Sequence, residues 1–371
     1  MSKQSFDETV MATLLQKAER MNGLTDPNPM VAAAVYHGLE FVSEGVHQRA
    51  GAAHAEVIAL DAAGERAKGA TLYITLEPCT HHGRTSPCVD AIIRSGIQKV
   101  IYAMSDPNPK VQERSADDIL QAAGIEVVKG ILEDDAMRLN APFIKLITTQ
   151  LPYVSLKVAM SIDGKISEKK GVSTCLSSEA SLQYVHRLRS QVTAILVGIQ
   201  TILVDDPSLT VRHGIEPIKG QPDVMILDSN LKTPLSAKVI LSLQEEKRSL
   251  FIFYDEAFDS GSHPLSEVAT LVPVPRTEQG LSWSHVLQYA YSIDSWRLLI
   301  EGGQSISTSA FHAGVIDEFL SFIVPVKIGD DGVSFIDDDE RAVHQLSTFV
   351  ERSRKTQTMF DKDVFTRYMR L

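Results

Sequence analysis

Short apolar runs alternate with amphipathic stretches along this chain, and the alternation stops and restarts once, at "QLPYV" (150–154). That rhythm is the strongest constraint on the fold. Strand-like runs separated by helical stretches bury their apolar faces by stacking helices on a largely parallel sheet. A length of 371 residues also exceeds what one ordinary core holds. The expectation is two α/β domains, 1–149 and 150–371, each a three-layer α/β/α arrangement.

In the first stretch the pattern predicts helices over 7–21, 54–67, 87–97, 114–124 and 134–149, and strands over 30–37, 39–47, 71–76, 99–104 and 125–131. The helix "PCVDAIIRSGI" (87–97) has proline in its first turn and glycine near its end. In the second stretch "YVSLKVAMSIDG", "AILVG", "VMILD", "LFIFY", "LLIEGG" and "FLSFIVPV" read as strands, and "SSEASLQYVHRLRSQ" as a helix opening on a serine cap. The end, "TFVERSRKTQTMFDKDVFTRYMRL", reads as two antiparallel strands. No internal repeat relates the halves.

A net charge of −11, with Lys and Arg scattered, argues against a nucleic-acid surface and leaves room for a pocket of two or three cations around a small phosphorylated ligand. No apolar run approaches the ~20 residues that span a bilayer. The start, "MSKQSFDETVMATLLQ", reads as a first helix and not as a signal peptide. A cytoplasmic location is expected, with Cys79, Cys88 and Cys175 as thiols.

Two of those cysteines stand in "TLEPCTHHGRTSPC" (75–88), shortly after "AGAAHAEVIAL" (50–60). His54, Cys79 and Cys88 are donors of the kind zinc takes, and a catalytic zinc keeps its fourth position open. His81 and His82 are alternatives that would close the sphere. His54 and Cys88 each stand at the start of a predicted helix, where the positive end favours thiolate. His54 and Glu56 lie about 200° apart around a helix, so they converge only on a site off its end. Glu56 then stands near the metal without ligating it, able to take a proton from water and pass it to a leaving amine. His-x-Glu followed by Pro-Cys is the signature of zinc nucleobase deaminases. Eight residues lie between the cysteines here, where most of that superfamily has two. The loop's His81, His82 and Arg84 read as substrate-recognition groups, with a plain solvated loop as the alternative. In the second half, "LLIEGGQSISTSAF" (298–311) puts Gly302-Gly303 between a strand and a helix. That suits a phosphate, or is an ordinary tight turn; it is not the dinucleotide fingerprint.

"DPNPMVAAAV", "EGVHQRAGAAHAEVIAL", "TLEPCTHHGRTSPC" and a second "DPNP" at 106–109 closely resemble the deaminase half of the bifunctional riboflavin-biosynthesis deaminase/reductase family. "LKVAMSIDGKIS", "LRSQVTAILVGIQTILVDDPSLTVR" and "IEGG" resemble its reductase half, so the likeness covers nearly the whole chain. It implies a cytidine-deaminase-like N-terminal domain and a C-terminal domain similar to dihydrofolate reductase. It also implies two reactions. The first is zinc-dependent deamination of 2,5-diamino-6-ribosylamino-4(3H)-pyrimidinone 5′-phosphate to 5-amino-6-(5-phosphoribosylamino)uracil. The second is NADPH-dependent reduction of the ribosyl group to ribityl.

Carried over by position, the resemblance makes His54, Cys79 and Cys88 the zinc ligands and Glu56 the proton shuttle. Asn28, between two prolines, and His47 become substrate contacts. Ala159, Cys175, Thr201, Asp205, Ser229 and the run Gly303, Gln304, Ser305, Ile306, Ser307, Thr308, Ser309 match NADPH positions. Ser173, Arg189, Leu209, Arg212 and Glu301 match substrate positions, and Lys157, in the strand of Ala159, is expected to contact the substrate as well. Arg189 and Arg212 suit a phosphate, with surface ion pairs as the alternative. A homodimer is expected.

The chain departs from the family at Ala32 (usually glycine), at "KVQERSADD" (usually a glycine-rich turn), at Cys175 (commonly tryptophan) and at "GGQSI" (usually "GGPTL"). Cys175 offers the cofactor less area, which implies weaker NADPH affinity. Two rivals stand beside this reading: a nucleic-acid deaminase, and a binding scaffold with one or both domains degenerate. Acidic charge, the cysteine spacing and the second domain weigh against the first rival.

Overall fold

The structure, a computed structural model, describes residues 3–80, 86–109 and 115–370. The chain divides into two compact units, Met1–Gln150 and Leu151–Leu371. Among the described residues no helix is long and apolar enough to cross a membrane.

The first unit is built on β1 (Ala32–His37), β2 (Glu40–Val46), β3 (Thr71–Leu76), β4 (Lys99–Met104) and β5 (Glu126–Lys129), in the order β2-β1-β3-β4-β5. β1 runs antiparallel to both neighbours, whereas β3, β4 and β5 are parallel. Nearly every residue of β3 and β4 is buried, so "TLYITL" and "KVIYAM" show no polar alternation; such strands are covered on both faces. The helices that matter to the site are α1 (Lys3–Glu19), α2 (Ala55–Ala63) and α3 (Cys88–Arg94).

The helix expected over 134–149 is two helices, Glu133–Leu139 and Ala141–Thr149, broken at Asn140. Pro142 removes one amide donor there. The buried Asn140 side chain holds Met30 instead: its Oδ1 accepts from the Met30 N–H at 2.8 Å and its Nδ2 donates to the Met30 carbonyl at 3.2 Å.

The second unit has one nine-stranded sheet. In spatial order its strands are Thr270–Val274, Leu250–Asp255, Asp223–Leu227, Ala194–Gly198, Arg297–Glu301, Tyr153–Ser161, Glu318–Val324, Asp363–Met369 and Arg354–Phe360. The first seven are parallel and the last two form an antiparallel hairpin. Strand Thr270–Val274 was not expected from the sequence; it contains Pro273, which an edge strand tolerates. The expected strand from Thr348 onward is corrected to the end of a helix, Glu340–Arg352, followed by the hairpin. Ala342, Leu346 and Phe349 share its core-facing side, and the Asp339 carboxylate accepts from the Ala342 N–H at its start.

The hairpin is fastened back to the body of the unit. Asp363 is fully buried, and its Oδ2 accepts from the Ser178 N–H at 2.8 Å and the Ser181 hydroxyl at 2.6 Å. Those residues begin the helix Glu179–Ser190, which Ser178 caps as the sequence predicts.

Candidate functional site

In the first unit, His54 is the N-cap of α2 and has extended backbone angles (φ −73°, ψ 154°), while Glu56 lies in the first turn. The two side chains therefore meet off the helix end. Cys88 opens α3 after Pro87, and Cys79 follows β3. The ligating atoms of His54, Cys79 and Cys88 all lie within 4.8 Å of one another. His54 Nδ1 is 3.1 Å from Cys88 Sγ and 3.6 Å from Cys79 Sγ, and the Cys88 N–H donates to Cys79 Sγ at 3.4 Å.

The Cys79 thiol is pulled down to about 4, chiefly by the hydrogen bond with Cys88 and then by His54. Cys88 is pushed up by that same bond and by burial. One imidazole nitrogen and two sulfurs, at least one of them readily ionised, form a donor set that fits zinc. Glu56 is 3% exposed; burial, and next the charge of Cys79, raises its carboxyl above the ordinary range.

What fixes the start of α2 is a close approach to β2. A Cβ added at Gly45 would lie 2.3 Å from the Ala55 carbonyl oxygen and 2.7 Å from the Ala59 nitrogen, so only glycine fits. The Ser43 hydroxyl donates to the Ala59 carbonyl at 2.6 Å alongside it. His47, at the end of β2, is buried and has its ring edge-on to His54, with centroids 5.7 Å apart. Its Nδ1 meets the Ala53 carbonyl at 3.1 Å and its Nε2 meets Asn28 Nδ2 at 3.2 Å. With Nδ1 donating to the carbonyl, Nε2 accepts from the Asn28 amide, and this orients Asn28. Thus Asn28 and His47 stand beside the three candidate donors.

Glu77, unremarked in the sequence, clamps the neighbouring loop. Its carboxylate accepts from the Asp106 N–H at 3.1 Å and the Ala116 N–H at 3.3 Å. Asp106, in the second "DPNP", is pushed up to about 6 by burial, opposed by its hydrogen bond from the Asn108 N–H, and raised further by the charges of Glu77 and Cys79. His81, His82, Arg84 and residues 111–114 of the departing turn lie outside the described residues.

In the second unit, the register pairs Glu301 with Lys157 on adjacent parallel strands. Arg189, from the helix Glu179–Ser190, meets Glu301 in a two-point pair: Nε to Oε1 at 2.6 Å and Nη2 to Oε2 at 3.0 Å. Lys157 Nζ lies 3.9 Å from Glu301 Oε2. Burial alone would raise the Glu301 carboxyl; the Arg189 charge and hydrogen bonds, with Lys157, overcome it and hold it at about 2. Burial lowers Lys157 below the ordinary lysine range, with Glu301 opposing. Arg189 Nη1 donates to the Thr210 carbonyl at 3.0 Å, tying this cluster to the segment that carries Leu209 and the exposed Arg212. The Leu209 side chain is buried and its carbonyl accepts from Arg248 Nη1 at 2.6 Å, so only its amide is offered to a ligand.

The remaining expected positions spread along the C-terminal ends of the parallel strands, where ligands of open α/β sheets bind. Ala159 lies in strand Tyr153–Ser161, Thr201 and Asp205 in the helix Ile199–Asp205, and Ser229 just after strand Asp223–Leu227. Cys175 and Ser173 are exposed. A Cβ at Gly302 would meet Ile306 Cγ2 at 2.6 Å and Thr201 Oγ1 at 3.4 Å, which brings these two helix starts together. Gly303 caps the helix Gln304–Ala313, whose start is open at Gln304 and Ser305. Ile306, Ser307 and Thr308 are buried, and Ser309 accepts from Trp283 Nε1 at 3.2 Å. A glycine-cleared helix start beside Thr201 fits the phosphate end of a dinucleotide such as NADPH.

Residues 4–104 match the family model of the cytidine and deoxycytidylate deaminase zinc-binding region, and residues 152–357 match that of the RibD C-terminal domain. The riboflavin biosynthesis protein RibD of Aquifex aeolicus is 40% identical over 365 residues, covering 98% of this chain and 99% of that one. The solved structure of Acinetobacter baumannii RibD, form 1, aligns with a TM-score of 0.81 at 32% identity, over 99% of each chain. A diaminohydroxyphosphoribosylaminopyrimidine deaminase/5-amino-6-(5-phosphoribosylamino)uracil reductase of Thermotoga maritima aligns with a TM-score of 0.82 at 28% identity, over 100% of each.

Proposed function

This chain belongs to the RibD family, the bifunctional deaminase and reductase of riboflavin biosynthesis, and we propose how its residues divide that work. The first unit, Met1–Gln150, deaminates the diaminopyrimidine ribosylamine phosphate. The second, Leu151–Leu371, reduces the ribosyl group of the product. One observation carries this reading: an imidazole and two sulfurs converge within 4.8 Å beside a buried carboxyl group.

His54, Cys79 and Cys88 hold the zinc, which when bound supplies a water activated at neutral pH. Glu56 takes the proton and returns it to the leaving amine; its raised carboxyl suits a group that must both accept and donate. Asn28, oriented by His47, reads the edge of the base. Glu77 steadies the loop beside it.

In the second unit NADPH supplies the hydride. Ala159, Cys175, Thr201, Asp205, Ser229 and the 303–309 run hold the cofactor; for Ile306, Ser307 and Thr308, buried as they are, support of the helix start is the role that fits. Lys157 and Glu301 line the sugar side with Ser173 and the Leu209 amide. Arg189 and Arg212 hold the phosphate. Holding sugar and cofactor face to face is the main catalytic resource. The acidic net charge and small-molecule chemistry fit a cytoplasmic enzyme that binds neither nucleic acid nor membrane, and a homodimer is the expected assembly.

A two-step assay tests the whole. Without NADPH, the diaminopyrimidine substrate is expected to release ammonia and accumulate the uracil; added NADPH is then oxidised in step with its consumption. NADPH oxidation on the diaminopyrimidine before any ammonia appears would overturn the order of reactions.

A further inference from the structure

The segment 208–212 is held at each successive residue. Arg248 donates to the Ser208 and Leu209 carbonyls, Arg189 to the Thr210 carbonyl, and Gln221 bonds both the N–H and the carbonyl of Val211. The next amide, that of Arg212, donates to His186 Nδ1 at 3.0 Å. Accepting from a backbone N–H means that Nδ1 carries no proton. His186 is thus in the neutral form, in agreement with a value pulled down to about 4 by burial and then by Arg189, Arg212 and His213.

The His186 ring is stacked on His213, with centroids 4.6 Å apart and an interplanar angle of 29°. His213 Nδ1 is in turn 2.8 Å from Glu179 Oε1, two turns of helix before His186 on the same side. Leu209 and His213 both adopt left-handed backbone (φ 52° and 59°), a conformation disfavoured for side-chain-bearing residues and kept here by the contacts around it. The Arg212 guanidinium spends Nη1 on Ser208 and Thr210, while its Nε and Nη2 make no hydrogen bond among the described residues. Two parallel donors on an immobilised guanidinium match two oxygens of a phosphate.

We propose that His186, with His213 stacked on it, is a positioning residue for the reductase: it sets the Arg212 backbone and thereby aims the guanidinium at the 5′-phosphate of the deaminated intermediate. The inference rests on the assignment of Arg212 to that phosphate. Neither histidine touches the reacting atoms, so their removal acts on substrate capture.

The test compares His186→Ala, His186→Asn, His213→Ala and Arg212→Ala on the full chain. Each is assayed with the phosphorylated intermediate and with its dephosphorylated form, and NADPH binding is followed by fluorescence as a report on the folded second unit. His186→Ala is expected to raise KM for the phosphorylated intermediate about fivefold, from one net hydrogen bond, with a smaller change in kcat. Asparagine places an acceptor near the Nδ1 position and restores most of the loss. His213→Ala gives a smaller rise. With the dephosphorylated intermediate the histidine variants match the parent enzyme. If Arg212→Ala raises KM while both His186 variants behave as the parent, the histidine inference is overturned and the phosphate assignment stands. If Arg212→Ala leaves KM unchanged, the phosphate assignment falls and the inference falls with it. Equal losses on both substrates, with weakened NADPH binding, would make His186 a purely structural residue and overturn the positioning role.

Discussion

Replacing Gly45 by alanine adds one methyl group on a strand that contains no metal ligand, yet the geometry predicts loss of one activity out of two. The new Cβ would stand 2.3 Å from the Ala55 carbonyl oxygen, 2.7 Å from the Ala59 nitrogen and 2.7 Å from the Ile58 Cβ. Two of these atoms are the backbone of α2, so no rotamer change relieves the contact. Restoring ordinary separations of about 3.5 Å requires α2 to retreat from β2 by roughly 1 Å. Overpacking of this kind costs about 1–3 kcal/mol. The displacement also carries His54 and Glu56, which sit at the start of α2, away from Cys79 and Cys88. A misplacement of about 1 Å is enough to slow catalysis on the order of 100-fold. The expected outcome for Gly45→Ala is therefore substoichiometric zinc and ammonia release reduced about 100-fold, while NADPH-dependent reduction of supplied intermediate is retained. Zinc analysis and the two separate assays read this directly. Full zinc content with ammonia release within twofold of the parent would refute the claim that this contact sets the site. Loss of the reductase as well would refute the confinement of the damage to the first unit.

Glu56→Gln is expected to lower ammonia release by about 100-fold or more with zinc content and the reductase intact; release at the parent rate would remove Glu56 from the proton transfer. Treatment with a strong zinc chelator should stop ammonia release and leave NADPH oxidation on supplied intermediate unchanged, and a reductase that stops too would contradict the division between units. Glu301 is held at about 2 rather than the ordinary 4.5, so its stabilising effect is complete above about 4.5 and is lost as pH falls from there through 2. That effect amounts to about 3 kcal/mol at neutral pH. The difference in urea midpoint between the parent and Glu301→Gln should therefore narrow from pH 7 to pH 3, and a gap that does not change with pH would refute the ion-pair account.

The three converging donors were legible because chemistry leaves few residue types to choose from for a zinc site, and because His54 and Cys88 each begin a helix. Strands buried on both faces, such as β3 and β4, were legible as unbroken apolar runs. What failed had local causes. Thr348 and Val350 favour a strand on propensity, but the apolar spacing of Ala342, Leu346 and Phe349 made a helix. Pro273 hid an edge strand. Asn140 and Met30, far apart in sequence, meet only in space, and no local pattern announces such a pair. Gly45 had a signal, a glycine inside a strand run, which often marks close backbone approach. His186 had none: a histidine within an amphipathic helix is ordinary until Arg212 and His213 are seen against it.

Asp363 joins the last strand to the first turn of the helix that bears Arg189 and His186. A nascent chain leaving the ribosome has all five strands of the first sheet once residue 129 has emerged. The second sheet lacks strand Asp363–Met369 until roughly 240 residues later, so the first sheet is complete well ahead of the second. Removing residues 362–371 therefore leaves the first chemistry intact and unlatches the second.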